Sequence, residues 1–359
     1  MDKLLTIIIP SYNVSKYLAK GCESLNVSEW RDRIEVLIVN DGSKDNTSDI
    51  GHGFERRFPQ TYRVIDKTNG NYGSCVNRGL SEASGVFVKV MDGDDYFDSE
   101  CFKRLLETLD KFESEGSEVD VVLSRVECVG ADGKTWKDAP CQDELRVVPM
   151  ERIFDINDVS AGVYFSMSTI TYRRSVFNRF VYRQTERISY SDNEWRIIPM
   201  VFVRKVYAIP FRVYLYLMGR DGQTMNPKTF ATNLGMIMTI TKGLVAKCAE
   251  IELKGIPIGA YVRRCVQDQV DMMYLASLCG WKNYSVKLDI KEFDDYMRVC
   301  GGGFYHAARN REILYAHFPM SLLSFSPVRV WDRWHTVYAP RLMMHRLLKK
   351  AERIVRGVK

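Results

Sequence analysis

The sequence is defined first by what it does not contain. No run of about 18 apolar residues occurs, so its pattern offers nothing to span a bilayer. The first apolar run begins at Leu4 and meets Pro10 almost at once, so no secretory signal is expected. The nine cysteines are odd in number and scattered, without a C-x-x-C pair, a pattern of reduced thiols rather than a disulfide frame or a zinc site. The five histidines have no metal-ligand spacing. With only His52 before residue 225 and no G-x-S-x-G, a Ser-His-Asp hydrolase is excluded. The turn after the first apolar run, PSYNVSKY (10–17), has no glycine, so backbone could not close on a pyrophosphate there and dinucleotide binding is not expected. GKT at 133–135 fails as a P-loop because Cys128 stands where a glycine is required; Asp132–Gly133 reads instead as a hairpin turn.

What is present describes a globular chain with a local charge excess. Of 359 residues, 46% are apolar and 27% charged, enough to bury a sizeable core in one large or two ordinary domains. The net charge is +6, but residues 329–359 alone carry nine Lys/Arg against two Asp/Glu, a net +7, leaving 6 − 7 = −1 for the rest. A near-neutral body with a basic tail argues against nucleic-acid binding and for one local anionic partner.

The apolar runs KLLTIII (3–9), IEVLIV (34–39), 62–66 and VFVKVMD (86–92) are short and barely alternate, and helical patterns separate them. Ser15 is the expected N-cap of the first helix and Asp98 that of the helix at 99–114. This βαβαβαβ order predicts an α/β fold with a mostly parallel central sheet flanked by helices. Ligands of such sheets lie beyond the carboxyl ends of the strands. Pro10–Asn13, Asn40–Ser43, Asn69–Gly73 and Asp92–Asp95 all follow strands and should meet at one rim. Strand-like runs continue through 119–127 and 204–218, with ISYSDNEWRIIPMVF between them, and from about 226 the texture is helical.

The stretch VMDGDDYFDS (90–99) packs Asp92, Asp94, Asp95 and Asp98 behind an apolar strand. Such close carboxylates repel unless solvated or paired with a cation. Hard cations such as Mg²⁺ or Mn²⁺ select carboxylate oxygens and phosphates, but acidic turns are common on surfaces and the motif by itself decides nothing.

Four motifs in order, TIIIPSYNVSKYL, VLIVNDGSKDNT, NGNYGSCVNRGL and VMDGDDYFD, resemble those of the family 2 glycosyltransferases of GT-A fold, over residues 4–225. The resemblance implies a GT-A catalytic domain at 1–225 and leaves 226–359 as a helical C-terminal region. It implies a metal-dependent, inverting transfer of a sugar from a UDP-sugar to a hydroxyl of a glycan or polyprenyl-linked glycan, in cell-surface polysaccharide synthesis. Pro10, Ser11 and Tyr12 would line the base pocket, and Asp41 would accept from the uracil imide. Asn69 and Asn71 would lie near base and ribose, with Asp92 and Asp95 on the nucleotide-sugar side. Asp94 would bind Mn²⁺ or Mg²⁺, with Asp95 supporting or sharing it. Asp192 would be the catalytic base and Arg220 a second cation for the phosphates. Trp195 is either core or an aromatic face for the acceptor.

The chain departs from the family pattern twice. Val76 replaces an expected arginine, with Arg78 pointing elsewhere if this is helix, and Ser191 precedes Asp192 where an acid is usual. Two readings stay open beside transfer: a nucleotidyltransferase, and a non-catalytic nucleotide-sugar-binding protein. The basic, aromatic-flanked tail at 327–359 reads as an amphipathic helix, either lying on an anionic membrane surface or packed on its own domain or a second subunit as a homodimer. The first arrangement puts the protein in the cytoplasm, peripheral on the inner face of the membrane.

Overall fold

The structure, a computed structural model, describes residues 2–135, 145–160, 163–219, 233–278 and 284–308. The chain divides into two compact units, Met1–Met236 with Ile251–Cys265, and Ile237–Glu250 with Val266–Lys359. The expected boundary near 225 and the basic tail lie outside the described residues, as does Arg220.

In the first unit the strands are β1 (Leu5–Ser11), β2 (Ile34–Asn40), β3 (Tyr62–Asp66), β4 (Phe87–Val90), β5 (Tyr96–Phe97), β6 (Val121–Val129), β7 (Ile153–Asp155), β8 (Ile170–Arg173) and β9 (Lys205–Leu217). They form one sheet in the order β3-β2-β1-β4-β8-β6-β9-β5, with β7 beside β9. β3, β2, β1 and β4 are parallel, β8 runs antiparallel between β4 and β6, and β6 and β9 are again parallel. The helices are α1 (Leu18–Ser24), α2 (Thr47–Arg57), α3 (Asn71–Glu82), α4 (Ser99–Ser114) and α5 (Asp192–Ile197).

All seven residues of β1 are buried, as a strand covered on both faces requires. Alternate side chains go to opposite faces. Ile7 and Ile9 share a core with Leu18 and Cys22 of α1 and with Phe102, Leu105 and Leu109 of α4. Ile8 meets α3 on the other face, where Gly79 sits so close that an added Cβ would lie 2.4 Å from Ile8 Cγ2. That contact fixes how α3 lies on the sheet, and the N-terminus of α3 reaches the rim.

Several local expectations hold for physical reasons. Asp98 caps α4, accepting from Cys101 N at 2.8 Å. The turn at Asp132–Gly133 closes with Gly133 N donating to Gly130 O at 2.9 Å, and Gly133 takes φ +75°. β9 tolerates Pro210 because its pairing with β6 slips there: Ser124 faces Ile209 and Arg125 faces Arg212.

Two expectations are corrected. Ser15 caps nothing: α1 starts at Leu18 after Tyr17, and Ser15 N instead donates to Asp45 Oδ2 at 3.1 Å. Cys22, Cys75, Cys101, Cys248, Cys265 and Cys300 are free, as expected, but Cys128 is disulfide-bonded.

Helices follow in the C-terminal region: α6 (Leu234–Leu253), which crosses the division between the units, α7 (Ala260–Leu278), α8 (Tyr284–Cys300) and α9 (Gly302–Ala307). Within the second unit the Tyr274 hydroxyl donates to Asp294 Oδ1 at 2.8 Å, and its ring lies 5.4 Å from that of Phe293. Among the described residues no helix is long and apolar enough to cross a membrane.

Gly79→Ala is expected to destabilise the first unit by about 1–3 kcal/mol, the usual cost of overpacking a filled core. Urea unfolding measures it; wild-type stability would mean that α3 shifts freely on β1.

Candidate active site

The site grows from the carboxyl ends of β1 to β4. After β1, Tyr12 projects its ring with 47% of its surface exposed, while Ser11 is 1% exposed. The Ser11 hydroxyl donates to Ile9 O at 3.1 Å, and its carbonyl accepts from Asp41 N at 2.9 Å. Ser11 therefore joins β1 to β2 beneath the rim.

Asp41, after β2, is 2% exposed and organises the loop after β3. Its Oδ1 accepts from Lys67 Nζ at 2.5 Å and from Gly70 N at 2.9 Å, and its Oδ2 accepts from Asn71 N at 2.8 Å. Lys67 also donates to Thr68 O and Ser74 Oγ, which uses all three of its protons. Asn69 Nδ2 donates to the Asp41 carbonyl at 3.0 Å. Asn71 takes φ +66°, a left-handed conformation that asparagine tolerates, and there the loop turns into α3.

The next residue, Tyr72, links this loop to the acid turn after β4. Its hydroxyl donates to Asp92 Oδ1 at 3.1 Å and also touches the Met167 sulfur. Asp92 N donates to the Tyr214 hydroxyl at 3.0 Å, which in turn donates to Asp95 Oδ2 at 2.7 Å. Leu217 N donates to Asp95 Oδ1 at 2.8 Å. Asp95 is 1% exposed, with both oxygens engaged by β9. It props up the turn. Burial, and then the charges of Asp94 and Asp92, push its carboxyl well above the usual range.

One oxygen from each of Asp92, Asp94 and Asp95 falls within a 4.8 Å group. Three hard oxygen donors whose charges oppose one another suit a divalent cation such as Mg²⁺ or Mn²⁺. With Asp95 held by Tyr214 and Leu217, and Asp92 Oδ1 by Tyr72, Asp94 is the residue to hold it. Beneath the turn, Lys89 of β4 is 0% exposed and donates to Ser168 O at 2.6 Å and Ile170 O at 3.2 Å. Burial without a carboxylate partner lowers its pKa to about 7.

Asp192 is the first residue of α5 and is half-buried. Burial raises its pKa, against the opposing charge of Arg196. Its charge is felt at Tyr72, whose hydroxyl is hard to ionise because of burial and then the charges of Asp92 and Asp192. The neighbouring Glu194 faces inward, accepting from Thr185 N at 2.6 Å and Thr185 Oγ1 at 3.0 Å. Trp195 is 0% exposed, with ring centroids 5.2 Å from Tyr172 and from Phe177. It is core, so it offers no face to an acceptor.

The structure thus joins Ser11, Asp41, Asn69 and Asn71 directly, and brings in Asp92 through Tyr72, where the charge of Asp192 is also felt. Val76 is buried in α3, and Arg78 turns away to pair with Glu82. Sequence reasoning missed Tyr72, Tyr214 and Lys89. For Lys89 a signal existed, since it is the one charge in the run VFVKV; for the two tyrosines there was none, because their partners come from distant strands.

The Glycosyl transferase family 2 model matches residues 6–181. The chain carries a family 2 glycosyltransferase domain. Its GT-A fold is similar to that of Staphylococcus aureus TarS, with a TM-score of 0.64 at 16% identity over 92% of this chain and 55% of that one. A second TarS structure, residues 1–349 in complex with UDP-GlcNAc, gives a TM-score of 0.52 at 19% identity over 88% of this chain and 92% of that one. At such identities the likeness is one of fold. An uncharacterised glycosyltransferase of Mycoplasma pneumoniae is 40% identical over 105 residues, 28% of this chain and 35% of that protein. The uncharacterised glycosyltransferase EpsJ of Bacillus subtilis is 36% identical over 122 residues, 34% of this chain and 33% of that protein. The glycosyltransferase domain of this chain therefore aligns with about a third of each relative's length.

Asp41→Ala would leave Lys67 and two loop amides without their acceptor. A loss of about 3 kcal/mol is expected, because a partly buried cation is stranded. Chemical unfolding checks it; a loss under about 1 kcal/mol would mean the loop does not rest on this carboxylate.

Proposed function

We propose that this chain is a metal-dependent, inverting glycosyltransferase that moves a sugar from a UDP-sugar to a hydroxyl of a glycan or lipid-linked glycan during cell-surface polysaccharide synthesis. The observation that carries the reading is the pairing of two unlike carboxylate positions around one tyrosine. Asp92 belongs to an acid turn suited to a cation, while Asp192 is a half-buried aspartate of raised pKa within electrostatic reach of the same Tyr72 hydroxyl. Support for UDP comes from the fold shared with TarS, which was solved with UDP-GlcNAc. Support for the polymer comes from the minor teichoic acid biosynthesis protein GgaB of Bacillus subtilis, 30% identical over 131 residues, 36% of this chain and 14% of that protein.

In this reading the nucleotide lies over Pro10 and the exposed ring of Tyr12, near Asn69 and Asn71. Asp41 Oδ2, which accepts from Asn71 N, offers its remaining acceptor capacity to the uracil imide N–H. Asp192 accepts the proton of the acceptor hydroxyl while that oxygen attacks the anomeric carbon on the face opposite UDP. The bond from that carbon to the β-phosphate oxygen breaks, and its electron pair leaves with UDP. Asp94 would hold a divalent cation, which would supply neutralising charge for the departing diphosphate. Arg220 is assigned a second contact with the phosphates. The chemistry is assigned to residues 1–225, and 226–359 to a helical region whose basic tail meets an anionic membrane surface.

A base works ionised, so a raised pKa moves the acid limb of the rate profile upward. Turnover should fall as pH drops through the Asp192 pKa, at a pH above the ordinary aspartate value of 3.8. Asp192→Asn should lower turnover by about 10²–10⁴-fold while UDP binding in Mn²⁺ stays within about twofold. UDP release from a panel of UDP-sugars with simple acceptors measures both effects; full activity of the variant ends the assignment. Liposome flotation with and without residues 327–359 tests the tail. Anionic vesicles should retain only the longer chain, and equal flotation of the two removes the membrane from the proposal.

A further inference from the structure

Tyr72 sits where three parts of the site meet. It is the second residue of α3, directly after Asn71, whose left-handed backbone and amide bond to Asp41 set the direction of the helix start. Its hydroxyl reaches across to β4's acid turn and donates to Asp92 Oδ1 at 3.1 Å. The same aspartate is held from the other side through its backbone, with Asp92 N donating to the Tyr214 hydroxyl at 3.0 Å. Asp92 is thus gripped by two tyrosines, one on its amide and one on its carboxylate. Tyr214 is buried and occupied with Asp95, whereas Tyr72 lies within electrostatic reach of Asp192.

We propose that Tyr72 is a positioning residue for the donor sugar: by holding Asp92 Oδ1 it leaves the carboxylate one orientation in which to accept hydrogen bonds from the hydroxyls of the transferred sugar. The inference rests on the sugar-transfer reading above. Without the phenol the carboxylate loses one of the bonds that orient it, and the sugar must restore that order on binding. The nucleotide half is held elsewhere, over β1 and the loop anchored by Asp41. Loss of the hydroxyl therefore separates the two halves of the donor: affinity for the sugar suffers and affinity for the nucleotide does not.

The experiment titrates wild type and Tyr72→Phe, in Mn²⁺, with UDP and with UDP-glucose, UDP-galactose and their N-acetyl forms. Tyr72→Phe should bind UDP within about twofold of wild type and bind the preferred UDP-sugar about tenfold or more weakly, the scale of one hydrogen bond to a charged group. Asp92→Asn should show the same selective loss, and adding Tyr72→Phe to it should cost less than about twofold more. Met167→Leu removes the sulfur beside the hydroxyl but keeps the bond to Asp92, and should bind like wild type. A parallel fall for UDP and UDP-sugar, no fall for either, or full additivity with Asp92→Asn overturns the proposal. So does a selective loss in Met167→Leu, which would make packing around Tyr72 the cause. Unchanged UDP-sugar affinity in Asp92→Asn overturns it even if Tyr72→Phe does not fold. Absence of any UDP binding by wild type is a separate result, the failure of the nucleotide reading itself.

Discussion

The acid turn depends on a buried carboxylate that β9 holds. Asp95 is taken out of water beside two other aspartates, a position in which burial and like charge both oppose ionisation. Burying such a group costs several kcal/mol unless donors meet it. The Tyr214 hydroxyl and the Leu217 amide do so, and the same hydroxyl accepts from Asp92 N. One phenol therefore ties the turn after β4 to the end of β9, and the positions of Asp92 and Asp94 follow from it. Lys89 adds a second tie beneath, fastening β4 to the carbonyls of Ser168 and Ile170.

The loop after β3 is built by the same device. Asp41 lies almost wholly inside and gathers Lys67, Gly70 and Asn71 around itself, which determines where α3 begins. Gly79 then lets α3 lie flush on Ile8, so the helix has little freedom to rock. Because Tyr72 is the second residue of that helix, the loop after β3 and the acid turn after β4 share one rigid element. A shift of α3 would disturb both, so this site has few independent parts.

Much of the fold was legible in the sequence because its signals are local. Strands β1 to β4 are apolar runs with few alternatives, the intervening helices carry their own periodicity, and Asp98 announces its cap by standing before SECFKRLL. Ser15 misled because a hydroxyl before a helical pattern is a cap only if the helix starts there. The backbone at Ser15 is instead claimed by Asp45, and α1 begins three residues later. The antiparallel insertion of β8 between β4 and β6 was not legible, since it pairs strands far apart in the chain. At the site, the four polar clusters were expected at one rim and meet there, but which of their side chains face outward was not legible. Ser11 and Tyr12 are adjacent and share the same motif, yet only Tyr12 projects outward.

By itself the sequence determined a parallel-sheet α/β domain with polar clusters at its strand ends and a helical region after it. Those properties follow from hydrophobic period, turn chemistry and the order of the elements, all of which act over a few residues. Only the tertiary structure decided the division of labour among the acids. Whether a carboxylate props up a turn, as Asp95 does, or stands at the site, as Asp92 does, depends on which donors other strands bring to it. Tyr72 and Tyr214 lie 142 residues apart in the chain and meet on one aspartate, Tyr72 at its carboxylate and Tyr214 at its amide. No spacing rule relates them, because the contact exists only once the sheet has closed around it.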